Sequence, residues 1–302
     1  GKDAKTANTI QADYDAKKYA EVMSKVDAYI AAGSSNAYLQ SYLYQLAASA
    51  ATSMEDNAKG AEYFKKTLDA NGLDNNGHYQ IMFNYAITLN QLDRYADALT
   101  TIDRFLTETK SEKPEAIALK AYLLSQLERP AEGAALYEKI LAANPSDRSV
   151  LMNAVALYQQ ADNFEKANAL LENARKQGLL VDGNEYRALF VGYINADKYA
   201  QAQAVLEEGV AKGAIKPSQT LANDYSIIAQ SYYADDKVAQ TIDFYSRAAK
   251  VATDGEASLN LAKVLRNENR MGEAKAAARE ALAKGVKKPK DANDILALPG
   301  GK

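Results

Sequence analysis

The chain has 302 residues, with 36 Lys and Arg against 39 Asp and Glu, and its net charge of −3 gives no basic excess for nucleic-acid binding. It contains no Cys, which excludes disulfides, a thiolate nucleophile and a cysteine metal site. No apolar run approaches the roughly 18–20 residues that a membrane span requires. Helix-forming residues dominate and alternating β-branched residues are absent, which predicts an all-α protein.

The first residues, Gly1 and Lys2, bear on where the protein resides. A start without Met favours a processed or trimmed chain from which any targeting segment has been removed. Together with the absence of Cys, this start favours a periplasmic or otherwise exported bacterial protein. A cytoplasmic location is the alternative.

One short pattern recurs along the chain and is clearest at residues 91–106, "QLDRYADALTTIDRFL". A small residue, Ala98, follows an aromatic residue by three positions and precedes an apolar residue by four, so all three share one helix face. A small residue there allows a neighbouring helix to approach closely. The residues equivalent to Ala98, called the markers, are separated by 33 to 39 residues: Val22, Gly60, Ala98, Gly133, Ala167, Ala202, Thr241 and Ala274.

A second set of residues, twelve positions before the markers, is also mostly small, and a polar turn signal lies between the two sets. The repeated unit is therefore predicted to be a helix, a tight turn and a second helix. In chain order, the predicted units of a single solenoid over 1–302 are 5–33, 38–72, 78–111, 114–144, 147–178, 183–213, 219–253 and 255–285, followed by a tail, 286–302. A frayed end is expected at 296–302, because a Pro-Gly-Gly run cannot be helical.

This pattern resembles the tetratricopeptide repeat over residues 5–285. The third to fifth units match best, through Tyr95 with Ala98, Phe164 with Ala167, and the terminal Pro145. The Trp and Leu-Gly of the family's first helix are mostly replaced, and Phe190 stands where a small residue is expected. The resemblance implies a right-handed superhelical solenoid of about eight helix-turn-helix repeats, in which the first helices line a concave groove.

By that resemblance, the groove-facing positions lie fifteen and eleven residues before each marker. In the middle of the chain they are apolar or aromatic, and towards both ends they are polar or cationic; an exposed apolar strip with a polar rim is typical of a protein or peptide groove. The set includes Leu259. The positions predicted to bind a partner are Phe83, Ile87, Tyr122, Met152, Arg187, Val191, Gln230 and Lys263. If the register is shifted by one residue, these side chains instead pack inside the superhelix.

Little in the sequence indicates catalysis or a cofactor. His78 is the only His, so a histidine metal site or a catalytic triad is not expected, and no Gly-rich phosphate loop is present. The favoured function is a non-catalytic scaffold that binds a protein or peptide in its groove. An acidic C-terminal tail is not favoured as the ligand, because the Lys and Asn residues with which some family members hold a C-terminal carboxylate are missing. One alternative is an assembly factor of the bacterial cell envelope, for example an accessory to a transport system, that acts through its outer surface or by self-association. Another alternative is an enzyme that uses scattered Asp, Tyr and Lys residues.

Overall fold

The computed structural model describes residues 1–33 and 36–302, and every regular element within these ranges is an α-helix, which confirms the all-α prediction. The helices pack into two compact units, Gly1–Asn163 and Phe164–Lys302. The first unit holds α1 (Lys2–Asp15), α2 (Tyr19–Ala31), α3 (Ala37–Ser53), α4 (Asn57–Ala70), α5 (Asn75–Gln91), α6 (Tyr95–Thr109), α7 (Pro114–Gln126), α8 (Pro130–Ala143) and α9 (Arg148–Gln160). The second holds α10 (Phe164–Lys176), α11 (Gly183–Asn195), α12 (Tyr199–Ala211), α13 (Gln219–Ala234), α14 (Val238–Val251), α15 (Glu256–Asn267), α16 (Met271–Lys284) and α17 (Pro289–Leu296). No helix in the described part of the chain is long and apolar enough to cross a membrane.

The turn inside each repeat has the same backbone geometry throughout. Five residues before each marker, a residue other than Gly adopts a left-handed conformation with φ between 56° and 61°. The next residue donates its N–H to a carbonyl five positions earlier, as Arg94 does to Leu89 and Lys198 to Tyr193, at 2.7 to 2.9 Å. This is the six-to-one bond of a Schellman turn, which ends one helix and lets the next begin three residues later. The left-handed residues are Lys17, Glu55, Asp93, Glu128, Asp162, Asp197, Asp236 and Asn269.

The markers lie where two helices approach most closely. All of them are buried. A Cβ added to Gly133 would lie 3.2 Å from the carbonyl oxygen of Ala121, which is the small residue twelve positions earlier on α7. A Cβ on Gly60 would lie 2.6 Å from the methyl of Thr52, one turn after Ala48. Small side chains therefore set the distance between the two helices of a repeat.

Successive odd-numbered helices also touch one another directly. In the first unit α1 contacts α3 and α5 contacts α7, and in the second α13 contacts α15, which contacts α17. Most contact between repeats runs from the second helix of one repeat to the first helix of the next, as between α2 and α3 and between α14 and α15, and in these four pairs the odd-numbered helices add direct contacts. We call the exposed side of the odd-numbered helices within each unit the odd-helix face.

The segment 286–302, treated as a tail in the sequence, contains a helix, α17. Ala292 and Ile295 are fully buried in a cluster with Leu259, Ala278 and Ala281, on α15 and α16. The last residues are also held, because Lys275, itself buried, donates a hydrogen bond to the carbonyl of Leu298. The sequence did not predict this short amphipathic helix, because its Pro and the later Pro-Gly-Gly run are signals that end helices. The helix is stabilised instead by the packing of its two buried apolar residues against α15 and α16.

Candidate functional site

The apolar part of the odd-helix face lies in the first unit. It carries Phe83 and Ile87 on α5, Tyr122 on α7 and Met152 on α9, and none of these is buried. We call these four residues the apolar strip. Phe83 and Met152 lie fifteen residues before their markers and Ile87 and Tyr122 lie eleven residues before theirs, so the two kinds of position are one turn apart on the same helix face. Tyr122 is 46% exposed, which is unusual for an aromatic side chain in a helix interior.

The hydroxyl of Tyr122 reaches the start of α6. There the hydroxyl of Tyr95 donates to Asp93 Oδ1 at 2.8 Å, and this hydrogen bond raises the pKa of Tyr95 to about 12, with a smaller contribution from Tyr122. Asp93 is the left-handed residue of the turn before α6. A polar end and an exposed ring are thus combined in one side chain at the centre of the apolar strip.

Phe83 lies at the wall of an open cleft of about 680 Å³ between α5, the end of α6 and the start of α7. Its ring centroid is 5.4 Å from that of Phe105, and the two planes are tilted by 44°. Tyr79 also packs against Phe105, with 6.5 Å between centroids and 73° between planes. The ring of Phe105 is nearly fully buried, whereas Tyr79 and Phe83 are only half-buried. Sequence analysis missed the cleft because its far wall comes from a loop whose position only the fold determines.

The predicted cation Arg187 is engaged by an acidic residue of the next odd helix. Its Nε and Nη2 donate to Asp224 on α13 at 3.0 and 3.3 Å. The Asp224 side chain is only 4% exposed and that of Arg187 is 46% exposed. Burial raises the pKa of Asp224 above its ordinary value, and the hydrogen bonds from Arg187 offset only part of that rise. Arg187 is therefore a link between repeats as well as a surface group.

The remaining predicted positions in the second unit are mostly polar. Lys263 Nζ lies 3.1 Å from Asp291 on α17, Gln230 is exposed, and Val191 is half-buried. The prediction that Leu259 faces a groove is wrong. Its side chain is 3% exposed, because α17, which the sequence did not reveal, packs in the same cluster.

The structure also shows tyrosines that link each repeat to the one before it. The hydroxyl of Tyr158 donates to Glu138, that of Tyr193 to Glu172 at 2.6 Å, and that of Tyr232 to Gln203. These tyrosines lie nine residues before their markers, and both glutamates lie five residues after theirs. The sequence contains this Tyr–Glu signal, but its two halves fall in different repeats, and only two pairs of neighbouring repeats carry both halves with a hydrogen bond between them.

These tyrosine links have a clear electrostatic signature. Burial, followed by the hydrogen bond to a carboxylate, raises the pKa of Tyr158 and of Tyr193 to about 12. Burial alone would raise the pKa of Glu172, but hydrogen bonds from Arg175 and Tyr193 outweigh it and hold that pKa below its ordinary value. The Tyr193–Glu172 link therefore stabilises a neutral phenol beside an ionised carboxylate.

Comparison with known proteins identifies the type of repeat. Residues 85–207 match a family model described as the N-terminal tetratricopeptide repeats region of Psidin. The match shows that residues 85–207 are similar to tetratricopeptide repeats, and the regular series of turns and markers extends over the rest of the chain. No curated protein sequence matches it significantly.

Solved structures of similar fold include two bacterial proteins. One is a tetratricopeptide repeat protein from Parabacteroides merdae, with 16% identity, a TM-score of 0.45, and coverage of 83% of this chain and 94% of that one. Another is MamA from Desulfovibrio magneticus, with 16% identity, a TM-score of 0.42, and coverage of 57% of this chain and 93% of that one.

Proposed function

We propose that the protein is a non-catalytic scaffold that binds a segment of another protein on the odd-helix face of its first unit. The observation that supports this most is the exposed ring of Tyr122 at the centre of the apolar strip. Buried aromatic residues with a polar end, surrounded by apolar neighbours, carry much of the binding energy in protein interfaces. The regular stack of repeats provides a rigid surface for such contacts.

The test is the loss of partner binding when the apolar strip is truncated. Tyr122→Ala combined with Met152→Ala is expected to leave the circular-dichroism spectrum unchanged and to weaken binding at least about 100-fold, as for loss of two interface anchors of about 2 kcal/mol each. The partner is first isolated with the unmodified protein as bait and then titrated against purified variants by calorimetry.

A matched control truncates one Met and one aromatic residue at other exposed positions. Met54 lies in a turn and Phe164 begins α10, and both side chains are at least half-exposed. The pair Met54→Ala and Phe164→Ala should leave the affinity unchanged. Equal loss in both double variants would indicate general destabilisation, and no loss in either would remove the apolar strip as the binding surface.

A further inference from the structure

The cleft beside Phe83 has the chemistry of an anchor pocket. Its floor is formed by the rings of Tyr79, Phe83 and Phe105. Its rim consists mainly of amide and hydroxyl side chains, and its two charged residues, Lys113 and Glu115, have opposite signs. With a volume of about 680 Å³, it exceeds the space that one large side chain needs.

We propose, building on the proposed function, that this cleft takes a neutral, extended peptide segment that inserts one aromatic or branched aliphatic side chain between the rings of Tyr79 and Phe83. The charge balance of the rim argues for a neutral segment, because a charged one would meet a like charge as well as an opposite one. The inserted side chain removes apolar surface of two half-buried rings from water.

The orientation of the rings favours an inserted side chain over a sugar. The planes of Phe83 and Phe105 are tilted by 44°, and those of Tyr79 and Phe105 by 73°. These rings form a concave corner that surrounds an apolar group from several sides. A pyranose ring instead requires a flat aromatic face that is open to one side, which this corner does not offer.

The rim is preformed on the side of the α6–α7 loop. Thr109 Oγ1 donates to the carbonyl of Phe105 at 2.6 Å and accepts from the N–H of Ser111 at 3.2 Å. The N–H of Lys113 then donates to Ser111 Oγ at 3.2 Å. These bonds fix the loop, so that little conformational entropy is lost when a ligand binds against it.

The opposite rim supplies groups that can pair with a peptide backbone. Asn75 and Asn76 are exposed in the first turn of α5 and line the cleft. The amide nitrogen of Gln80 donates to Asn84 at 3.1 Å, which directs the Gln80 side chain along α5. Amide side chains carry both donors and acceptors, as a peptide group requires. The cleft thus combines an apolar anchor with backbone recognition, and the apolar strip continues from it along α7 and α9.

The experiment uses a neutral probe, the capped pentapeptide Ac-Gly-Gly-Trp-Gly-Gly-NH2. Because the chain contains no Trp, fluorescence excited at 295 nm reports the probe alone. Binding is expected to shift its emission to the blue, with a dissociation constant in the millimolar range. Analogues with Glu or Lys at both outer positions should bind no more tightly, and maltohexaose should not displace the probe.

Two variants locate the binding. Asn76→Tyr adds bulk at the mouth of the cleft without removing a core side chain, and it should weaken probe binding at least tenfold. Asn184→Tyr is the matched control, because Asn184 is likewise the exposed second residue of an odd helix, and it should have no effect. Phe83→Leu, which keeps the site apolar but removes the ring, should also weaken binding.

Several outcomes would overturn the proposal: no binding of the neutral probe, equal binding by the Asn76→Tyr variant, at least tenfold tighter binding of a charged analogue, or displacement by maltohexaose. The failure of this proposal can be distinguished from a failure of the proposed function. If Tyr122→Ala with Met152→Ala abolishes partner binding while Asn76→Tyr leaves both partner and probe binding intact, the scaffold stands and the cleft is not its anchor.

Discussion

Ala98 lies fully buried in α6, in one cluster with Ala86 and Ile102. Its small side chain allows the two helices of this repeat to pack closely. The same reasoning applies to Ala167, Ala202 and Ala274, which are also fully buried. These positions determine packing, and we expect their variation to affect stability before it affects binding.

Ala98→Arg should be strongly destabilising. The change both overpacks the contact and buries a charge, and we expect it to lower the free energy of unfolding by about 3–5 kcal/mol. Thr100→Arg is the control, because Thr100 is exposed on the same helix and should change stability by less than about 0.5 kcal/mol. Urea unfolding followed by circular dichroism measures both. A neutral Ala98→Arg would show that the repeat register is wrong.

The pair Arg187–Asp224 predicts a stability defect that depends on pH. Arg187→Ala leaves the buried carboxylate of Asp224 without its partner, and at pH 7 we expect a loss of about 1–3 kcal/mol. The pKa of Asp224 is already raised by burial and should rise further without Arg187. Since the folded state then binds the proton more tightly than the unfolded state, stability is retained at acid pH and is lost as pH rises through the folded-state pKa.

The measurement is urea unfolding at several pH values between 4 and 7. The difference between wild type and Arg187→Ala should shrink towards acid pH, and adding Asp224→Asn should make the defect independent of pH. A defect of constant size would assign the loss to the packing of the Arg187 side chain instead. This link could not be predicted from the sequence, because its partner lies on the next odd helix among several surface carboxylates.

At the scale of helices, the tyrosine links join the first helix of one repeat to the preceding repeat. Tyr158 and Tyr193 hold their pKa at about 12, above the ordinary value of 10.0. A raised folded-state pKa contributes stability below pH 10 that is lost as pH rises towards 12. The folded protein should therefore keep these two phenols protonated above pH 10.

Alkaline titration at 295 nm should reveal a late-ionising class of tyrosines that disappears when the protein is unfolded in urea. Tyr193→Phe should remove one tyrosine from that class. A single transition near pH 10 for all tyrosines would contradict the links.

The helices themselves were largely predictable, because each carries its own signals. The turns before the markers and the small residues appear as local patterns, and the observed helices α3 to α16 follow them closely. By contrast, α17 was missed because its stability comes from the surface of α15 and α16 and not from its own sequence. In the apolar strip Tyr122 is exposed and the other three residues are half-buried, and the role of all four in binding stays a prediction.

At the scale of the whole molecule, stability in a helical-repeat stack comes from contacts between neighbouring repeats. In the second unit, α17 covers the last helix pair and buries Ile295 completely. We therefore expect the pair α15–α16 to depend on α17, and the pair α11–α12, which does not contact it, to be independent of it.

Ile295→Asp places a charge in that contact and should detach α17. Hydrogen exchange followed by mass spectrometry should then show lower protection in α15 and α16, with α11 and α12 unchanged. Lys290→Ser, at an exposed position of the same helix, is the control. Loss of protection throughout the second unit would mean that it unfolds as one cooperative block.

The uniform turn has a consequence for altering the length of the chain. Every turn within a repeat has three residues and one fixed backbone shape, whereas the connections between repeats in the second unit include the longer segments 177–182 and 212–218. An added residue in a turn would rotate every later side chain of its helix out of the contact. The same residue added to a connection is absorbed at the surface. New epitopes or reporter loops can therefore be grafted into 212–218, while the turn at Asp197 admits exchange of residues but not insertion.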